Sequence, residues 1–211
     1  MKAAITKRDA ERTKNAILEV SVSLFAEQGF EGTSVQQIAE TAGVARGTPN
    51  YFFSSKEKLF QATLARECES AQLVVPDALA AAGTHASPEQ LIHALVDIYL
   101  DYLSKNPRFL RLIQWTALQR PKLMDEVEAH WQTVLSAVEA ASLVWDTPLD
   151  EDEVKQLTLS VMGMCTFHFF FGQVIASPLG LKTDKASFLA ARKQHLKTLL
   201  TAVLHGLQKE A

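Results

Sequence analysis

Apolar residues recur at helical spacing along the 211-residue chain, and nowhere do they alternate with polar ones as in a strand. Val35, Ile38, Ala39 and Ala42 fall at i, i+3, i+4 and i+7, one narrow helical face. Far downstream, Phe188, Leu189, Leu196, Leu199, Leu200, Val203, Leu204 and Leu207 line a last helix predicted to open at Asp184. Punctuation divides the rest. A helix is expected from Lys56 to near Leu73, followed by an Ala-rich looser joint through Gly83 and Thr84. Ser87-Pro88-Glu89-Gln90 supplies an N-cap, a proline at the first helical position and a capping glutamine for a helix to Lys105. Asn106-Pro107 restarts the chain to Gln119, Arg120-Pro121 breaks it before a long helix to Trp145, and Thr147-Pro148 with Asp150, Glu151, Asp152 and Glu153 opens the next. Ser177-Pro178-Leu179-Gly180 closes that one. The predicted fold is all-α, with about nine helices.

Residues 33–56, TSVQQIAETAGVARGTPNYFFSSK, set two short helical patterns around Ala42-Gly43-Val44, the layout of a helix-turn-helix. Thr33 and Gln36 have capping-box spacing, so the first helix is expected to start at Ser34 and to end at Gly43, which tolerates the required φ. Val44 would plug the angle between the helices, leaving 45–53 to carry Arg46, Thr48, Asn50 and Tyr51 outward as groove and phosphate groups. The same kind of turn also joins helices in inert bundles, and the turn alone leaves both readings open.

Charge matters by position more than by total. The formal net charge is −3, unlike a nonspecific nucleic-acid binder, while residues 1–15 hold Lys2, Lys7, Arg8, Arg12 and Lys14 against Asp9 and Glu11. That segment reads as a flexible basic arm, a phosphate or minor-groove clamp, or as a solvated tail. Hydrophobic content of 47% supports a real core. Cys68 and Cys165 lie far apart and the opening residues lack an apolar signal segment, both of which favour a reducing cytoplasm. Residues 156–181 contain no Asp, Glu, Lys or Arg and are long enough to span a bilayer, but Gln156, Thr158, Ser160, Thr166, His168, Gln173 and Ser177 interrupt them. Burial between a pocket and a subunit interface explains the run better.

The run from Arg12 to Phe60 resembles the N-terminal domain of the TetR family of transcriptional regulators. The resemblance rests on Ile17-Leu18, Leu24-Phe25-Ala26, Gly29-Phe30, Gly32-Thr33-Ser34, Ile38-Ala39, Ala42-Gly43-Val44, Gly47-Thr48 and the stretch Tyr51-Phe52-Phe53-Ser54-Ser55-Lys56-Glu57-Lys58-Leu59. It implies a three-helix DNA-binding domain over residues 1–60 and a six-helix effector-binding and dimerisation domain over 61–211. By the same resemblance Thr33, Ser34, Arg46, Gly47, Thr48, Asn50, Tyr51 and Lys56 are the expected DNA contacts. Two departures stand out. Pro49 and Asn50 replace an aliphatic residue and a phosphate-binding tyrosine, and Phe52 stands where many members carry a histidine. Proline fits only the first helical turn, so Thr48 is expected as N-cap with Pro49 at the first helical position. The family's dimer interface maps onto 156–176 and 186–206, although both stripes would also serve a monomeric core.

The implied function is a one-component transcriptional regulator, a repressor, that binds an inverted-repeat operator as a homodimer and is released by a small apolar or aromatic effector. The helix from Lys56 is the expected lever. Tyr99, Tyr102, Phe109, Trp115, His130, Trp131, Met162, Cys165 and Phe169 combine bulk with polar or polarisable groups and are the candidate pocket walls, or simply core. His168, among Phe167, Phe169, Phe170 and Phe171, reads as a satisfied core or interface histidine. No catalytic group, metal site or cofactor is expected: GxxxxGK[ST], HExxH, GxSxG and GxGxxG are absent, as are Glu-x-x-His pairs. The competing reading is an all-helical enzyme or small-molecule-binding protein whose N-terminal domain reads no specific DNA.

Overall fold

The computed structural model describes residues 7–119, 132, 135, 150–183 and 185–210. Among them are nine helices and no strand: α1 (Lys7–Gly32), α2 (Val35–Thr41), α3 (Thr48–Phe53), α4 (Lys56–Gln72), α5 (Val74–Ala82), α6 (Pro88–Lys105), α7 (Pro107–Gln119), α8 (Glu151–Ala176) and α9 (Ala186–Glu210). The predicted helix to Trp145, the Thr147-Pro148 break, the Asp184 start, Lys2 of the basic arm, His130 and Trp131 lie outside the described residues.

Local chemistry accounts for most boundaries. Ser87 and Gln90 form the expected capping box of α6, and Asp150 and Glu153 form another at α8, each pair exchanging side-chain and backbone bonds. Two expectations fail. The basic segment is helical from Lys7, so any arm is confined to the residues before it; Asp9 in the first turn complements the helix dipole. The Ala-rich joint is the helix α5. Its Pro76 sits in the first turn, where no N–H is needed, Ala80, Ala81 and Ala82 favour helix, and Gly83 at φ +91° stops it.

The described residues form two compact units. The first comprises residues 7–69 and 107–119, and α7 packs there beside α1. Ile17, Leu18, Val22, Phe25 and Ala26 of α1 share one face and meet Ile38 and Ala39, Phe53, Leu59, Phe60 and Leu64 in the core. Phe25 stacks on Phe30 at 6.1 Å, and Phe60 meets both edge-on at 4.9 and 5.3 Å. At the rim, Glu19 accepts from Arg66 at 3.1 Å and from Arg108 at 2.9 Å, linking α1, α4 and α7.

The second unit comprises residues 70–106 and the described residues beyond 131. Its core joins Val75 and Ala78, Val96, Leu100 and Leu103, Val154 and Met162, and Leu196, Leu200 and Leu204. Antiparallel α6 and α9 are zipped by polar rungs. Asp101 meets Lys193 at 2.7 Å, Asp97 meets Lys197 at 2.5 Å, and His93 bonds Thr201 at 3.2 Å.

Near its C-terminal end α1 is interrupted at Gly29, with φ 72° and ψ 177°. A Cβ there would lie 3.0 Å from the Trp115 ring of α7. That backbone region is essentially reserved for glycine, and the ring leaves no room for a methyl group. Gly29→Ala is therefore expected to destabilise the protein by about 2–4 kcal/mol, read as a lowered urea midpoint.

Candidate nucleic-acid interface

Ser34 caps α2. Its Oγ accepts the Gln37 N–H at 3.1 Å, so the cap lies one residue later than the expected Thr33/Gln36 box. Thr33 is displaced from that role because its hydroxyl turns inward, donating to the carbonyls of Gly29 at 2.9 Å and Leu24 at 3.1 Å. At 1% exposure it belongs to the core. Gln36 instead bonds Glu40 along the helix surface.

The turn after α2 is a Schellman motif. Gly43, at φ +66°, donates to Glu40 and Val44 donates to Ala39, satisfying two of the last carbonyls. The chain then makes a tight turn in which the Thr48 N–H donates to Ala45 at 2.8 Å, and α3 starts directly from it. Gly47 occupies the N-cap position with no side-chain cap, Thr48 is the first helical residue and Pro49 the second, a shift of one from the expected register. The helical conformation already reached at Gly47 (φ −83°, ψ −9°) absorbs the cap into the turn. Pro49 is buried in the first turn, costing no hydrogen bond.

The six residues of α3 thereby sort by face. Pro49 and Phe53 point into the core, Thr48 and Phe52 are half-buried, and Asn50 and Tyr51 are exposed, Tyr51 at 82%. Phe52 meets the Tyr51 ring edge-on at 5.2 Å, propping a side chain that would otherwise be unsupported. Ser34, Arg46 and Gly47 are also exposed. Lys56, half-buried, sets its ammonium 4.4 Å above the Phe30 ring, a cation–π contact that orients it. Of the eight expected contact residues, Thr33 alone has its side chain taken up inside. Of the basic segment expected as a phosphate or minor-groove clamp, Lys14 lies on α1 6.0 Å from the Phe53 ring, and Lys7, Arg8 and Arg12 are exposed on the preceding turns. That this segment is helical went unread in the sequence.

The expected effector residues are divided. Phe109 and Trp115 belong to the first unit, where Phe109 is buried and the Trp115 indole N–H donates to the Ala26 carbonyl at 3.3 Å. Tyr99, Tyr102, Met162, Cys165 and Phe169 belong to the second. There Tyr102 shares a 2.9 Å hydrogen bond with Ser70, and burial holds the Tyr99 hydroxyl far above its usual pKa. Burial pushes the Cys165 thiol up to about 12, which leaves almost no thiolate for redox chemistry. A shallow depression at the α5–α6 connection, with Leu79, Ala82, Pro88 and Leu91 in its wall, includes none of the expected residues. His168 is buried as expected but not satisfied: both ring nitrogens lack a partner. Burial, with the Arg192 guanidinium adding to it, pulls this imidazole down to about 4.

A short helix presented outward by a glycine turn defines a helix-turn-helix domain. Residues 17–63 match the model of the bacterial regulatory proteins of the tetR family. The match to that family lies within this N-terminal domain. It is 32% identical over 112 residues to the transcriptional repressor NicS of Pseudomonas putida, a match covering 53% of this chain and 51% of NicS. It is 31% identical over 139 residues to the transcriptional regulator RutR of Escherichia coli K12, covering 65% and 64%. The chain thus spans between about half and just under two thirds of these two relatives. In fold it is similar to a TetR-like transcriptional regulator from Rhodococcus sp. RHA1, with a TM-score of 0.70 at 16% identity over 96% of this chain and 100% of that one. It is likewise similar to the TetR family regulator PfmR of Thermus thermophilus, with a TM-score of 0.59 at 19% identity over 88% and 97%.

Removing the Thr33 hydroxyl takes the shared donor from the buried Gly29 carbonyl and the part-buried Leu24 carbonyl, so Thr33→Val is expected to cost about 1–3 kcal/mol in urea unfolding. For His168, the unfolded chain takes up a proton near 6.5 and the folded chain only near 4, so stability falls as the pH drops through that window. Between pH 7 and about pH 5, His168→Phe is expected to lose less stability than the parent, measured as the shift in urea midpoint.

Proposed function

We propose that the chain is a cytoplasmic one-component transcriptional regulator, a repressor, that binds an inverted-repeat operator as a homodimer and is released by a small-molecule effector. The observation that carries the reading is α3. Pro49 and Phe53 root this helix in the core while Arg46, Asn50 and Tyr51 face outward beside it. Arg46 and Asn50 are side chains that pair in bidentate fashion with guanine and adenine edges, and Tyr51 and Lys56 suit phosphate oxygens. Ser34 and Gly47 bring small exposed groups to the same approach surface. The exposed basic residues of the first turns of α1 add phosphate contacts with a salt-dependent energy.

Dimerisation is supported by a second surface. Leu159, Phe167, Phe171 and Val174 of α8 follow one helical face and remain exposed, Leu159 at 68% and Val174 at 74%, and Leu199 and Val203 of α9 are exposed as well. By length and composition α8 could also cross a membrane, an 18-residue stretch of it having a mean hydropathy of 1.5. Its opposite face, however, buries Val154, Met162, Cys165 and His168, and Leu157 packs with Leu91 and Ile92 of α6 around Leu204 of α9. A second copy of the same surface is the natural cover.

Two-fold symmetry would place the two α3 helices in half-sites about 34 Å apart, or a multiple. Effector coupling is reciprocal: whatever factor the effector takes from operator affinity, the operator takes from effector affinity. The chain leaves the helix-turn-helix along α4, the expected lever.

Selection of bound sites from random double-stranded DNA tests the reading, with an inverted repeat expected among the enriched sequences. No enrichment across a range of salt would leave a small-molecule-binding protein or enzyme without sequence-specific DNA reading. With the selected site as probe, Arg46→Ala and Tyr51→Ala are each expected to weaken binding by about tenfold or more, with the urea midpoint unchanged because both side chains are exposed.

A further inference from the structure

The second unit sets a half-buried guanidinium near a buried imidazole, and among the described residues gives neither an anion. Arg192 of α9 reaches the α8 backbone, where its Nη2 donates to the Met164 carbonyl at 2.7 Å. Its Nε is buried without a partner, and among the described residues no carboxylate pairs with it. The next residue, Lys193, shows what pairing on this helix looks like, with Asp101 at 2.7 Å. One helical turn beyond Met164, His168 is 8% exposed, and neither of its ring nitrogens has a hydrogen-bond partner. Phe169 flanks the imidazole at 4.0 Å between ring centroids, and Phe188, one turn before Arg192 on α9, does so at 5.5 Å.

The chemistry of the vacant donors is specific. A guanidinium carries its N–H groups in a planar fork, and Nη2 has two of them. One is given to Met164, and the edge that Nε–H and Nη2 share is of the kind that matches the two oxygens of a carboxylate. A neutral imidazole adds a single further N–H donor. A phosphate, with more charge and more oxygens, would find, among the described residues, a single guanidinium and no second unpaired cation at this place.

The geometry points to Arg192 and His168 as the anchor for the carboxylate of an acidic small molecule whose apolar body lies against the phenylalanines of α8 and α9. The inference rests on the effector reading above and gives that effector a chemical class. It also separates the anchoring residues from the expected walls, of which Cys165 and Phe169 are neighbours on α8.

Isothermal titration on the full chain without DNA tests it, using benzoate and octanoate against benzamide and octanamide, with inorganic phosphate alongside. At least one acid is expected to bind saturably, and its amide about tenfold more weakly or worse. Arg192→Met is expected to erase the preference for the acid, and Arg192→Lys to retain part of it. The acid-versus-amide comparison uses the unaltered protein, so a variant that fails to fold does not decide the matter. Equal binding of acid and amide, no saturable binding of either acid, phosphate binding as tightly as the acids, or a folded Arg192→Met variant that keeps the preference each overturn the proposal. Adding the acid to protein on its selected operator separates the two readings. Binding without release leaves the site standing and removes its effector role. An operator that binds while no acid does leaves the regulator standing and removes this site.

Discussion

The break in α1 at Gly29 is the constraint around which the first unit is organised. A positive φ followed by an extended ψ lets the chain turn while Phe30 still stacks on Phe25 and meets Phe60. The interruption ends the regular ladder of the helix and leaves carbonyls in its last turns in want of donors. Two side chains from outside that helical run supply them: Thr33 bonds Leu24 and Gly29, and Trp115 of α7 bonds Ala26. Because the indole also occupies the space of the missing Cβ, the glycine is required twice, once by its backbone and once by its neighbour. Losing one hydrogen bond of this kind leaves a buried acceptor unsatisfied, which costs more than the bond itself contributes.

From that corner the rest of the helix-turn-helix follows with little freedom. Thr33 is anchored inward, so Ser34 takes the cap and sets where α2 begins. The Schellman turn at Gly43 then fixes the exit, and the turn from Ala45 to Thr48 runs straight into α3. A six-residue helix has no intrinsic stability in water, so α3 exists because Pro49 and Phe53 are held in the core. Pro49, an oddity when seen as a sequence, is therefore an anchor: it fills core space, restricts the unfolded chain, and gives up an N–H that the first turn does not use.

How far this was legible depended on whether the cause was local. Caps and breaks written in adjacent residues were readable, as with Ser87 to Gln90, Asp150 with Glu153, and Gly43. Thr33 misled because two hydroxyl residues stand side by side, and only the tertiary position of the Gly29 and Leu24 carbonyls decides which of them caps the helix. Trp115 had the composition of a pocket wall, yet its partner is the α1 backbone 89 residues away in sequence, a relation no periodicity carries. Arg192 was passed over for the opposite reason. Set between Phe188 and Leu196 on the apolar stripe of α9, a lone arginine resembles an ordinary snorkelling side chain until the structure shows its Nε enclosed.

The last helices resolve an apparent contradiction in their own sequence. Residues 156–181 carry no charged side chain, so a single buried face could not use all of their apolar surface. Here α8 divides it. One side packs Val154, Met162 and Cys165 into the second unit, and the other leaves phenylalanine, leucine and valine facing solvent. Exposed side chains of that size, aligned over the length of one helix, are what the proposed dimer would cover. The placement of His168 follows from the same division. Being on the packed side, it cannot recover its lost hydration from solvent, and being on a helix, it cannot turn away without giving up the ring contacts with Phe169 and Phe188. A polar group so confined is compatible with stable folding when a partner arrives to complete it, and Arg192, already held by Met164, presents the charge that determines what kind of partner that is.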